Sequence, residues 1–164
     1  MDTPHYLDIF QKTADRLDSK LFIQKNVEYK VGIWLKSVVV KFQKPSWRNP
    51  SKAKPFEESV FFGIWVNDES LRYGKINYNI HALKLRELQG YSIKSRDFAD
   101  AFRSAFRPYA KKWPNVSVDF GPLTLMNGWV AMDKENMETI IEDLAYKFLE
   151  IAFIIDNLLA ERKK

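Results

Sequence analysis

Residues 27–43 read VEYKVGIWLKSVVVKFQ, and the alternation inside them decides the fold. In the first half the apolar side chains fall on odd positions: Val27, Tyr29, Val31, Ile33 and Leu35, with Glu28, Lys30 and Lys36 between them. In the second half they fall on even positions, Val38, Val40 and Phe42, opposite Ser37, Lys41 and Gln43. A period of two is that of a strand with one buried face. The parity reverses at Lys36-Ser37, and a reversed parity changes faces unless the chain turns or bulges there. A hairpin and one long bulged strand both satisfy the pattern. The triplet Gly32-Ile33-Trp34 recurs as Gly63-Ile64-Trp65, where a turn signal, Asn67-Asp68-Glu69-Ser70, follows directly.

Helical patterns flank this strand region. Thr3-Pro4 starts the first, with Tyr6, Phe10, Leu17 and Leu21 on one side, which predicts a helix over about 4–20. Residues 59–66 and 71 to about 85 read as a hairpin. Ser95 opens a second helix, with Phe98, Phe102, Ala105, Phe106 and Tyr109 as its stripe, ended by Pro108. Residues 116–120 and 123–132 form a further extended pair, with Asn127-Gly128 as a candidate turn. A long helix then follows Asp133, its stripe running from Met137 to Leu159. The order α-β-β-β-(β)-α-β-β-α, with short strand connections, predicts an α+β fold in a single domain over 1–164. Five or six antiparallel strands should form its sheet, with an N-terminal helix, a middle helix and a long C-terminal helix.

Composition excludes several kinds of chemistry. The chain has 164 residues, 46% hydrophobic and 15% aromatic, enough for a substantial core. It has no cysteine, which removes disulfides, thiolate catalysis and Cys-based metal sites. The two histidines, His5 and His81, stand in different elements without ligand spacing, so no metal and no cofactor are expected. No nucleophile elbow, phosphate-binding glycine loop or paired catalytic carboxylate is visible. Glu28-Tyr29-Lys30 fits a nuclease-like E-x-K formally, but alternating charge on an outer strand face explains it better. An enzyme is not expected. The apolar run 140–159 carries Glu142, Asp143, Lys147, Glu150 and Asp156, which makes it an amphipathic helix and not a membrane span. A polar, acidic beginning without an apolar leader predicts a cytoplasmic protein.

Charge and aromatics supply the functional expectations. Residues 20–112 hold 19 Lys/Arg against 8 Asp/Glu, whereas the chain as a whole carries +5. The segment 44–55, KPSWRNPSKAKP, is a loop with Lys44, Arg48, Lys52 and Lys54 around Trp47. Trp34 and Trp65 stand on the parity opposite to their apolar neighbours, so the second sheet face also carries large apolar groups. Leu149 and Phe153 similarly fall off the stripe of the last helix. These features predict a small non-enzymatic interaction domain that binds a protein or peptide partner. Self-association as a homodimer, with Trp34, Trp65, Leu149 and Phe153 at its interface, is the accompanying expectation. The alternative is a nucleic-acid-binding module built from residues 30–54 and 94–112, with Lys41, Lys44, Trp47, Arg48, Lys52, Lys54, Arg103 and Arg107 as contacts.

Overall fold

A computed structural model describes residues 1–50 and 54–164. Five strands form one antiparallel sheet in the order of the chain: β1 (Glu28–Trp34), β2 (Ser37–Gln43), β3 (Ser59–Val66), β4 (Lys75–Leu83) and β5 (Thr124–Ala131). Helices α1 (Thr3–Arg16), α4 (Ser95–Phe106) and α5 (Met137–Glu161) pack together on one face, with short helices α2 (Ser19–Gln24) and α3 (Asp68–Arg72) at the connections. The architecture is the expected α+β sheet with helices first, in the middle and last.

The parity reversal at residue 36 is resolved as a two-residue hairpin. Val38 pairs with Ile33 and Ser37 with Trp34, and both turn residues, Leu35 and Lys36, take positive φ, at 49° and 64°. Such a turn matches the twist of its strands, but it ordinarily selects asparagine and glycine. Leucine and lysine have no such preference, which is why the turn was hidden in the sequence. The expected turn at 67–70 is instead the start of α3, where Asn67 and Ser70 exchange capping hydrogen bonds.

Three other boundaries differ from expectation. The first helix breaks after Arg16, and Asp18 restarts it as α2 by accepting from the Leu21 N–H. An aspartate before a turn of helix competes for backbone donors in this way. Residues 116–120 make only one bridge, Ser117 to Asn127, and do not form a strand. Asn127-Gly128 lies inside β5, where Gly128 makes room for the Tyr78 hydroxyl: a Cβ there would come within 2.2 Å of Tyr78 Oη. That hydroxyl donates to the Pro114 carbonyl at 2.7 Å.

The core lies between the sheet and the three long helices. Val38, Val40 and Phe42 of β2 meet Phe62 and Ile64 of β3 and Tyr78 of β4 on the inner face. Phe148 of α5 stacks on Phe62 with ring centroids 4.6 Å apart, and Trp113 meets Phe62 edge-on. Each ring of this kind adds on the order of 2–3 kcal/mol through burial, and their interlocking fixes where the sheet lies under α5. Among the described residues no helix packs on the opposite face of the sheet, and the segment 54–57 borders it near β1 and β2.

Candidate ligand-binding face

Pairing register maps the open face residue by residue, because partners directly across a ladder share a face. The row nearest the centre reads Lys30, Lys41, Gly63, Asn79 and Asn127 across β1 to β5. The row beside it, towards the β1–β2 turn, reads Gly32, Val39, Trp65, Asn77 and Trp129. On the other side Phe61 of β3 stands opposite His81 of β4. Lysines, aromatics and amides therefore alternate over one surface. Glu28 is the single acid on the strands of this face, and Arg48 engages it at 2.9 Å.

Gly63 sits at the middle, in the central strand, and the reason is neither conformation nor crowding. Its φ is not positive, and a Cβ built on it would lie 3.4 Å from Asn79 Oδ1 and 3.6 Å from Val39 Cγ1, ordinary contact distances. Glycine in a strand interior costs stability and leaves no side chain to pack. Its effect here is an open pit. The groove containing the pit has a volume of about 770 Å3 and is walled by Trp34, Phe61 and Trp65; Lys41, Asn79 and His81 are polar groups of its lining, and one carboxylate, Glu57, borders it as well.

Two polar side chains in the pit are largely covered, but among the described residues no side-chain nitrogen or oxygen is both buried and without a partner, so the Asn79 amide reaches solvent. Asn79 is 7% exposed, and its side-chain amide makes no hydrogen bond among the described residues. Lys41 is 8% exposed; its ammonium donates to the Phe56 carbonyl at 3.0 Å and lies 4.3 Å from the Trp34 ring centre and 4.6 Å from that of Phe61. Two aromatic faces hold the charge in place, and among the described residues no carboxylate forms a salt bridge with it, although Glu57 borders the same groove. Burial brings the Lys41 pKa down to about 8, against a weak opposing pull from Glu57. Burial likewise lowers the pKa of His81, and the charge of Lys41 adds to the effect, so the imidazole is neutral near pH 7. Its Nδ1 lies 3.5 Å from Thr124 Oγ1. A cation between two aromatic faces, an amide and flat walls thus meet in one groove, with Glu57 at its border.

The remaining predicted contacts lie elsewhere, and most are spent inside the molecule. Trp47 is fully buried, edge-on to Phe148, with its indole N–H donating to Asp156 at 2.8 Å. Lys44 pairs with the same carboxylate at 2.6 Å. Gln43 pins the far end of the loop by accepting from the Phe56 N–H and donating to the Glu58 and Val60 carbonyls. Lys54 is exposed, and Lys52 falls outside the described residues. Arg103 donates to the carbonyls of Phe120, Gly121, Thr124 and Leu125, while Arg107 is exposed beyond α4. Leu149 packs against the core, and exposed Phe153 touches Tyr109 edge-on. Of the twelve, the structure brings together Trp34, Trp65 and Lys41. Gly63, Asn79, His81 and Trp129 join them without having been singled out. Of these four only Gly63 had a signal, the repeated Gly-Ile-Trp, each copy of which puts its glycine and tryptophan on the open face and its isoleucine on the other.

The chain matches no protein-family model, no curated protein and no solved structure. Among the described residues no three His, Asp or Glu side chains converge as a metal site would require, and no helix is long and apolar enough to cross a membrane.

Proposed function

We propose that the protein is a non-catalytic module that binds single-stranded nucleic acid across the open face of its sheet. The observation that carries this reading is the pit above Gly63, in which the unpaired amide of Asn79 and the desolvated cation of Lys41 stand between aromatic walls. A base, unstacked from its neighbours, offers a flat face to such walls and donors and acceptors to such an amide. Base-on-aromatic stacking contributes about 1–3 kcal/mol per base and tolerates any sequence. Lys30 and Lys75 lie on the same face, three strands apart and offset by four residues along them, about 20 Å in all, and would receive phosphates on either side of the pit. Lys75 already lies 4.4 Å from the Trp129 ring centre, so a base approaching Trp129 meets that cation as well. A duplex buries its base faces in the stack and cannot use the pit.

Titration with a labelled single-stranded oligonucleotide tests the reading. Affinity should fall steeply with salt, because phosphate contacts release counterions. Tryptophan emission should be quenched on binding, and an equal length of duplex should bind more weakly. Absence of binding at low salt and micromolar protein would remove the proposal, and equal affinity for duplex would move the contact off the pit. Parallel DNA and RNA arms decide which chain is preferred. A protein partner is the second reading. It rests on Leu35, which is 98% exposed in a turn conformation that leucine rarely adopts.

A further inference from the structure

The sheet has two edges, and the molecule treats them differently. On β5 the segment 115–117 covers the edge. Ser117 and Asn127 exchange backbone hydrogen bonds of 2.7 and 2.9 Å, and the Asn115 side chain donates to the Trp129 carbonyl at 3.1 Å. On β1 no described residue does this: among the described residues the strand pairs with β2 alone. Its seven residues run without a bulge or a proline, two of the devices that keep an edge from pairing, although Glu28 and Lys30 place charge on it. The two-residue turn makes Trp34 and Ser37 the closing hydrogen-bonded pair, so even residues of β1 bond to β2. Tyr29, Val31 and Ile33 therefore point their N–H and C=O groups outward. Between this edge and α1 lie two shallow grooves of about 540 and 500 Å3, one bordered by Ala14, Tyr29 and Lys30 and the other by Leu7, Gly32 and Ile33.

Exposure along the odd residues of this segment is graded. Val27 is 3% exposed, Tyr29 and Val31 are half-buried, Ile33 is 53% exposed and Leu35 is 98% exposed. The gradient is self-complementary when the strand meets an antiparallel copy of itself. A two-fold axis through Val31 sets Ile33 beside the partner's Tyr29 and Leu35 beside the partner's Val27. The exposed end of each strand then lies against the covered end of the other. On the open face the same register sets Lys30 opposite Gly32 and Glu28 opposite Trp34, so no like charges meet. An axis through Lys30 would oppose two lysines, and one through Tyr29 would leave Ile33 and Leu35 in water.

We infer that the β1 edge is a homodimer interface, at which two copies pair antiparallel about Val31 and join their sheets into one. The inference stands independently of nucleic-acid binding, although it would align two open faces as a single track. Sedimentation without nucleic acid should give about twice the 19.3 kDa chain mass. Val31→Pro removes an outward N–H and obstructs the incoming strand while leaving the β1–β2 ladder intact. It should weaken the dimer by about tenfold or more, the equivalent of 1.4 kcal/mol, with the far-ultraviolet circular dichroism unchanged. A second measurement does not depend on how that variant folds. Because the chain has no cysteine, single-cysteine variants report proximity directly. A short bis-maleimide should link Val31→Cys chains into dimers several-fold more efficiently than Glu28→Cys chains. A monomer at every accessible concentration overturns the inference, as does equal cross-linking at the two positions.

Discussion

Gly63 and Gly128 stand in neighbouring parts of one sheet for opposite reasons, and substitution separates them. A methyl group at Gly63 meets its neighbours at ordinary contact distances, so Gly63→Ala should raise stability to denaturant by up to about 1 kcal/mol, chiefly by restricting the unfolded chain. A methyl group at Gly128 would collide with the Tyr78 hydroxyl, so Gly128→Ala should cost about 2–3 kcal/mol in the same assay. Lys41 makes its own prediction. Its pKa of about 8 in the folded chain lies below the ordinary 10.5, so between these values the unfolded chain holds a proton that the folded chain has released. Stability therefore rises with pH across that window, and the cost of burying the charge is fully present below it. Lys41→Met should flatten this rise. In the native protein, affinity for an anionic ligand should decline as the pH passes 8, since the cation in the pit is then lost. These residues were only partly legible in the sequence. Lys41 was conspicuous as a lysine in an apolar run, whereas Asn79 and His81 gain their meaning from β3 and β4 pairing in a particular register.

Elements were more legible than their ends. The stripe of α5 is read directly from its sequence: Ile141, Leu144, Phe148, Ile151, Ala152, Ile155, Leu158 and Leu159 are buried as it requires, while Ala145 and Ile154, outside the stripe, are buried beside them. Ile155 is inaccessible while Phe153 lies on the outer flank. Ile155→Glu should unfold the domain by forcing a charge into the core, whereas Phe153→Glu should keep its melting temperature within a few degrees. The loop after β2 carried the strongest functional signal in the sequence, basic residues around a tryptophan, and its Lys44, Trp47 and Arg48 are engaged within the fold. What the sequence could not show is Asp156, a residue of α5 more than a hundred positions away that accepts from both Trp47 and Lys44. Asp156→Ala leaves the indole N–H buried without a partner and should cost about 1–3 kcal/mol, measurable as a lowered denaturation midpoint. The β1–β2 turn was ambiguous for a related reason: Leu35 and Lys36 do not have the residue types that the conformation normally selects.

On the scale of the whole molecule, the basic surplus of residues 20–112 is divided between two uses. Arg48, Lys44 and Arg103 are engaged by acids or carbonyls of the fold and Lys41 by the Phe56 carbonyl, while among the described residues Lys30, Lys41 and Lys75 on the open face form no ion pair. Composition reports the total and cannot report this division, which follows from the register. The helices supply the core on one side, so the tryptophans on the other side are free to serve a ligand. The most direct test of that assignment compares the wild-type protein with Gly63→Leu, a substitution that fills the pit from its floor without touching a lysine or a tryptophan. Both proteins should show the same circular dichroism. At low salt the wild type should bind a labelled single-stranded oligonucleotide at micromolar concentration or below, and Gly63→Leu should bind at least about tenfold more weakly, a loss of 1.4 kcal/mol or more. Equal binding by the two folded proteins, or none by either, would contradict the account.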